Sequence, residues 1–429
     1  MNFIHLVVDF HPQSGYISYA MIRRNITNIL NEAVRDNPVI ILTGARQTGK
    51  STLIQDFINK THPALYVSLD DLSTLSAIKA DPEGFIAGLE QNVALDEIQR
   101  VPDLLLSIKK HVDRNRQPGR FILSGSANVL FLPTISESLA GRAEILTLWP
   151  FSQGELEDRK ESFIDRIYTS TLHFSGLQRI SISDIYKRII NGGFPEITRR
   201  ESLQRKHAWF NSYITTILQK DIGDLSRIEG IHELPKLLSV LAFRAGSLLN
   251  YADISKDIGI PQTTLKRYIS LLETIFFVYH LSPWHSNIGK RFVKSPKTYM
   301  LDSGLLSFLL NVDKHTIGQS PLRGKIFENF VVMEIVKQLS WRTEKIHLYH
   351  FRTHTGKEVD IVLENRKKEL IGIEIKSSST VSHNEADGIR ELAKLAGERF
   401  HRGVILYTGD TVVPFAKNIH AVPLDALWL

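Results

Sequence analysis

The chain has 429 residues, more than one ordinary hydrophobic core accommodates, and such a length corresponds to about three domains. A content of 43% hydrophobic and 23% charged residues is that of folded globular protein and sets aside fibrous and disordered classes. Cysteine is absent, which excludes disulfides and thiolate metal sites and suits a reducing cytoplasm, and no stretch approaches the ~18 apolar residues of a membrane span.

The first twenty residues lack the basic start and long apolar core of a signal peptide. Met21-Ile22-Arg23-Arg24 reads as a natural start, so residues 1–20 are expected to be a non-native or mis-assigned extension. From Met21 to about residue 160, helical and strand patterns alternate, as a parallel sheet covered by helices requires. Val39 to Leu42 is a buried strand, followed by G-x-x-x-x-G-K-S from Gly44 to Ser51 and then a helix. Glycines there let successive amides point inward, so Gly44, Ala45, Arg46, Gln47, Thr48, Gly49, Lys50, Ser51 and Thr52 are expected to cradle the phosphates of ATP. Lys50 would reach the β- and γ-phosphates and Ser51 would hold Mg²⁺.

Strands are also expected at Leu65–Leu69, Val93–Leu95 and Phe121–Leu123. The second of these ends in Asp96-Glu97, a pair that can divide the work of hydrolysis, Asp96 on Mg²⁺ and Glu97 on the attacking water. Ser126, beyond the third, either senses the γ-phosphate or completes a simple turn. Arg142, in Ser138-Leu139-Ala140-Gly141-Arg142, serves either as a finger on a neighbouring subunit's nucleotide or as a structural salt bridge.

These segments, G-A-R-Q-T-G-K-S-T, L-D-E-I-Q, L-S-G-S and S-L-A-G-R, resemble a bacterial and archaeal group of AAA-type ATPases (AAA_14-like) with a C-terminal domain of unknown function, DUF4143. Gly192-Gly193-Phe194-Pro195-Glu196 and Lys297-x-Tyr-x-Leu-Asp302-x-Gly304-Leu305-Leu306 resemble that group's later signatures, and Lys220 departs from the arginine its members tend to carry before the aspartate. The resemblance implies ATP binding and a site completed between subunits, hence a homo-oligomer.

Residues 161–245 read as a helical linker. In 246–305, a short amphipathic helix ending at Gly259 leads through the turn Ile260-Pro261-Gln262 into a second helix from Thr263 to Glu273, the spacing of a helix-turn-helix. Phe276–Leu281 and Arg291–Leu301 would be the strands of a wing, with Lys290, Arg291 and Lys294 at its tip. Lys266, Arg267, Lys290, Arg291, Lys294 and Lys297 face Glu273 alone between Pro261 and Met300, a basic concentration suited to DNA. Gln262, Thr263, Lys266, Arg267, Lys290, Arg291 and Lys294 are the residues expected on it; the same fold also docks proteins.

Residues 318–429 follow the order helix, three strands, helix, strand. In the second strand Val359, Ile361 and Leu363 would take the apolar face and Asp360 the opposite one, and a hairpin through Asn365–Lys368 would set Asp360 beside Glu374, with Lys376 on the same face. Glu328, on the helix stripe of Val331, Val332, Ile335 and Leu339, faces inward, where a carboxylate is costly unless paired or ligating. Carboxylates holding Mg²⁺ beside a lysine are what phosphodiester cleavage asks for. Asp360 and Glu374-Ile375-Lys376 resemble the PD-(D/E)XK nucleases, although Val359 stands where a proline is frequent. The resemblance implies Glu328, Asp360 and Glu374 as metal ligands and Lys376 as a catalytic cation; such domains also persist as DNA-binding or structural modules. The expected architecture is a P-loop ATPase, a helical linker with a winged helix, and a nuclease-like α/β domain. Its expected function is an ATPase acting on DNA, or a nucleotide switch that docks a protein partner and carries an inert nuclease fold.

Overall fold

The computed structural model describes residues 21–126, 139–174, 176–225, 231–291 and 295–429; the expected extension 1–20, Ser138 and Lys294 lie outside them. In β1 (Val39–Thr43), Val39 and Ile41 point to one side and Ile40 and Leu42 to the other, because successive strand side chains alternate. Both sides are apolar, so both faces need a helical cover. On the Ile40 side, α1 (Thr27–Asp36) and α2 (Lys50–Lys60) supply Leu30, Val34, Ile54 and Phe57. Opposite them, α3 (Leu72–Ala80), α4 (Pro82–Ala87) and α5 (Leu104–Arg114) bring Ile78, Ile86, Leu104 and Ile108. Each such side chain, fully buried, contributes about 1.5–3 kcal/mol.

β1 lies between β4 (Phe121–Gly125) and β5 (Ala143–Thr147), and β3 (Val93–Asp96) and β2 (Leu65–Ser68) extend the sheet in the order β2-β3-β4-β1-β5. Every pairing is parallel, which brings the carboxyl ends of β1, β3 and β4 to one edge. β5 is not among the strands expected: it is a half-buried edge strand, and Glu144 breaks its apolar run.

A helical middle follows: α6 (Gln153–Leu156), α7 (Phe163–Tyr168), α8 (Ile182–Asn191), α9 (Pro195–Thr198), α10 (Leu203–Leu225), α11 (Leu234–Phe243), α12 (Tyr251–Ile258) and α13 (Gln262–Thr274). Next, β6 (Val278–Leu281) pairs antiparallel with β7 (Lys297–Met300), with α14 (Ile288–Arg291) between them and α15 (Ser303–Leu309) after. The expected wing strands are shorter than read, because Arg291 belongs to the short helix. Where α8 ends, Gly192 adopts φ 64° and ψ −154°, a region open essentially to glycine alone. A Cβ there would meet Asp302 Oδ1 at 2.1 Å, since Asp302 caps α15 and also accepts from Gly193 N at 2.7 Å. The two late signatures of the sequence are therefore one structural contact.

In the C-terminal region, α16 (Arg323–Ser340) precedes β8 (His347–Arg352), β9 (Glu358–Glu364) and β10 (Leu370–Ile375); α17 (Asp387–Ala396), β11 (Phe400–Tyr407), β12 (Val413–Ala416) and β13 (Ile419–Pro423) complete it. The mixed sheet runs β12-β13-β11-β10-β9-β8. The expected single apolar face of β9 is corrected: Ile361 and Leu363 join the core with α16, whereas Val359 and Val362 pack with Ile389 and Leu392 of α17. The cause is a register shift between Tyr349 and Phe351, where β9 advances three residues against two of β8 and its alternation changes phase; both faces of the sheet are covered. The Ile361 core is continuous with that of the helical middle, from Phe163 to Trp428.

Buried polar groups join the parallel-sheet region to α16. Lys337 Nζ donates to Phe151 O at 2.9 Å and pairs with Glu334 at 2.6 Å, and Glu334 accepts from Gln153 N at 2.8 Å. Glu161 accepts from Gly154 N at 3.0 Å and from Asn25 Nδ2 at 2.6 Å, with Glu334 and Glu155 as its charged neighbours. Burial, then the Glu334 charge, pushes the Glu161 carboxyl up to about 8. An acid raised in the folded state stabilises it fully below its ordinary 4.5, and that contribution is lost as pH rises through about 8. Glu161→Gln, neutral throughout, is expected to flatten the decline in apparent thermal midpoint between about pH 5 and 8. Parallel profiles for parent and variant would mean that Glu161 does not titrate in that window.

Candidate functional site

The loop from Gly44 to Ser51 leaves β1 and enters α2 at Lys50. Gly44 has φ 148°, and a Cβ on it would stand 2.2 Å from Leu148 O, so only glycine lets the loop lie against the exit of β5. Gln47 (φ 64°) and Gly49 (φ 94°) take left-handed conformations, which curl the backbone amides into a concavity suited to anions. Lys50 is buried, and its ammonium donates to Gly44 O at 2.9 Å and Ala45 O at 2.8 Å. Thr48 Oγ1 also donates to Ala45 O, at 2.9 Å.

Two groups outside the motif hold this loop. Buried Arg24 donates to Thr48 O at 2.9 Å, to Trp149 O at 2.5 Å and to Glu155 Oε1 at 3.2 Å. Its guanidinium lies 4.5 Å from the Phe151 ring centroid. From α10, Tyr213 donates its hydroxyl to Arg46 O at 3.3 Å. Neither was among the sequence candidates; both sit far from the loop in sequence. Beside the loop opens a cleft of about 1080 Å³, lined by Thr48, Gly49 and Asp56 on one side and Arg179, Lys187 and Arg188 on the other.

At the end of β3, Asp96 is buried and accepts from the Ser124 hydroxyl and, at 2.5 Å, from Tyr66 OH. Burial, then the hydrogen bond to Asp96, pushes the Tyr66 phenol up to about 12, which keeps it a donor at neutral pH. Glu97 sits at φ 63° and ψ 45°, a left-handed conformation of the kind that clusters at functional sites and costs about 1–3 kcal/mol. The turn Ile98–Arg100 folds Gln99 back, so that its amide donates to the Glu97 carboxylate and, at 2.9 Å, to Ser126 Oγ. Ser126 thus stands beside Glu97 through Gln99, whose only sequence signal was its place two residues after the acid.

The other expected site residues are dispersed. Arg142 precedes β5 at the amino end of the sheet, away from the loop, and its guanidinium grips Asp113 at 2.5 and 3.0 Å. Gln262, Thr263, Lys266 and Arg267 are exposed at the start of α13, with Lys266 Nζ 5.4 Å from the Tyr251 ring centroid. Arg291 corrects the expectation of a basic wing tip: it is buried and pairs with Glu364 at 2.6 Å, between the rings of Trp284 and Tyr349. The Lys290 side chain and Lys294 lie outside what the structure describes.

In the C-terminal sheet, the expected carboxylates do converge. Asp360 Oδ2 accepts from Ile375 N at 2.9 Å, and Glu374 pairs with Lys376 at 2.9 Å. What they surround was not expected. Lys297, from β7, is 2% exposed, and its ammonium lies 2.8 Å from Glu328 and 3.4 Å from Asp360 and also pairs with Glu358. Tyr299 OH donates to the same Glu328 oxygen at 2.7 Å. Burial, then the Asp360 charge, pushes Glu328 up to about 7 and Glu374 up to about 8. Burial alone would lower Lys297; Glu328, Asp360 and Glu358 outweigh it and raise the ammonium well above its usual range. Glu328 and Asp360, expected to hold Mg²⁺, here pair with Lys297, and Glu374 pairs with Lys376. Among the described residues no group of three or more His, Asp or Glu side chains is arranged to hold a metal ion.

Residues 36–157 match the family described as AAA domain, residues 182–316 a domain of unknown function (DUF8612), and residues 323–427 another (DUF4143). The uncharacterized proteins Rv2008c of Mycobacterium tuberculosis and Mb2031c of Mycobacterium bovis are each 31% identical over 407 residues, covering 94% of this chain and 84% of theirs. The uncharacterized protein MJ1544 of Methanocaldococcus jannaschii is 21% identical over 421 residues, 91% of this chain and 88% of its own. Among solved structures, the Walker-type ATPase of Pyrococcus abyssi aligns with a TM-score of 0.40 at 14% identity, over 68% of this chain and 96% of that one. With a P-loop ATPase-like parallel sheet in its AAA-domain region and a separate mixed sheet in its DUF4143 region, the chain belongs to the family of these uncharacterized proteins.

Proposed function

We propose that this protein is a Mg²⁺-dependent ATPase that works as a nucleotide-controlled DNA-binding switch, and that its C-terminal domain does not cut DNA. The observation that carries the first part is the gathering of Lys50, Ser51, Asp96, Glu97, Gln99 and Ser126 at the carboxyl ends of β1, β3 and β4. The loop amides and Lys50 would hold the phosphates of ATP, exchanging the Lys50 bonds to Gly44 O and Ala45 O for phosphate oxygens. Ser51 and Asp96 would hold Mg²⁺, which neutralises charge on the transferring phosphoryl group. Glu97, fixed in rotation by Gln99, orients the attacking water and takes its proton.

The DNA part rests on α11, α12, α13 and the β6–β7 pair, read as a winged helix whose second helix exposes Gln262, Thr263, Lys266 and Arg267. The C-terminal domain, read as a nuclease-like fold, is inert in this account because Lys297 stands among its acids. A homo-oligomer in the cytoplasm fits the reading, with Arg142 reaching a neighbour's nucleotide only if it leaves Asp113.

Three experiments test it. Lys50→Ala should lose ATP binding, and Glu97→Gln should bind ATP yet hydrolyse it about 10²-fold or more slowly; parental turnover in either variant refutes the site. Lys266→Ala with Arg267→Ala should weaken DNA binding across sequences and reduce the slope of log affinity against log salt by about 2. Binding that ignores salt would move the reading to protein docking. Metal-dependent plasmid cleavage lost in Asp360→Ala would overturn the non-cutting domain.

A further inference from the structure

The acids of the C-terminal sheet come from three elements: Glu328 from α16, Glu358 and Asp360 from β9, and Glu374 from β10. The cation among them comes from none of these. Lys297 starts β7, which is laddered to β6 and bridged to Leu248, so it belongs with α12 and α13 rather than with the sheet it neutralises. The strand is held there by Gly246 N to Thr298 O at 2.8 Å and Thr298 N to Ser247 O at 3.2 Å. A second buried cation of the same β6–β7 connection, Arg291, pairs with Glu364 at the far end of β9.

Three carboxylates on one side-chain nitrogen are more than an ammonium needs. Glu374 pairs through Oε1 with Lys376 at 2.9 Å, while its Oε2 is buried beside Asp360 without a hydrogen-bond partner. Hard divalent cations seek such oxygens, but one cannot share the place of a buried ammonium, because like charges in a dry site repel by several kcal/mol.

We propose that Lys297 is the resident cation of this cluster. With its ammonium in place the site excludes divalent metal; with the ammonium removed, its three partners Glu328, Glu358 and Asp360 bind one Mg²⁺ or Mn²⁺. Access to the site is thereby controlled by the strand that joins it to α12 and α13. The inference stands apart from the ATPase reading, since it is tested without nucleotide.

The test is Mn²⁺ titration of the full chain, nucleotide-free, followed by electron paramagnetic resonance of the free ion, on the parent, Asp360→Asn, Lys297→Met and Lys297→Met with Asp360→Asn. Methionine keeps the apolar stem of lysine and drops the charge. The expected result is one Mn²⁺ bound by Lys297→Met about tenfold or more tightly than by the parent, and lost again on adding Asp360→Asn. Equal weak binding by parent and Lys297→Met overturns the proposal, as does parental binding that Asp360→Asn abolishes. Should Lys297→Met not fold, acetylation of the parent read by mass spectrometry decides. Lys297 protected with and without Mn²⁺ supports a resident cation, and Mn²⁺-induced labelling of Lys297 refutes it.

Discussion

The Arg24 guanidinium is buried against the phosphate loop, the exit of β5 and the capping box of α6, donating to Thr48 O, Trp149 O and Glu155. A buried charge is tolerated only when its hydrogen bonds are met, and removing one partner of such a pair costs about 3–5 kcal/mol. These three segments therefore hold their places together. Glu155 completes the arrangement by accepting from Asn25 N at 2.7 Å and Ser152 N at 3.1 Å. Displacement of Thr48 would be felt at Trp149 and Glu155, two residues either side of Phe151 and Gln153, whose backbones meet α16.

That helix has contact with both polar centres. Near its end Lys337 and Glu334 hold Phe151 and Gln153; nearer its start Glu328 holds Lys297 and Tyr299. Glu328 and Lys337 are about 13 Å apart along the axis at 1.5 Å per residue. Phe151 N also donates to Gly193 O at 2.8 Å, and Gly193 N reaches Asp302 just beyond β7. Two continuous routes of buried contact thus run from the phosphate loop to the strand that carries Lys297. Such continuity is the physical requirement for nucleotide state to reach the C-terminal acids; coupling itself is a free energy, measured by double-mutant cycles rather than by adjacency.

Local rules of folding are broken where chemistry is expected. Gln47 and Glu97 hold left-handed torsions without being glycine, and three acids, Glu328, Glu358 and Asp360, are drawn around the Lys297 ammonium. Natural sequences keep such costs where function or specificity offsets them. At Glu97 the torsion, together with Gln99, fixes the carboxylate's position. At Lys297 the ion pairs fix how the β6–β7 unit sits on the C-terminal sheet.

The local sequence by itself determined the parallel-sheet region apart from its edge strand β5, because strand alternation, the phosphate loop and the Asp-Glu pair are carried by residues adjacent in the chain. It likewise placed α16, β8, β9 and β10, the Asn365–Lys368 turn, and the meeting of Asp360 with Glu374. Only the tertiary structure decided who shares those places. Arg24 lies 24 residues before Thr48 and 131 before Glu155, and Lys297 lies 63 before Asp360. Lys297 was counted in sequence among cations suited to DNA, and Arg291 was placed on a wing tip; both instead neutralise acids of the sheet. A lysine reads the same whether it faces water or a carboxylate, because its charge is carried in the sequence and its partner is not.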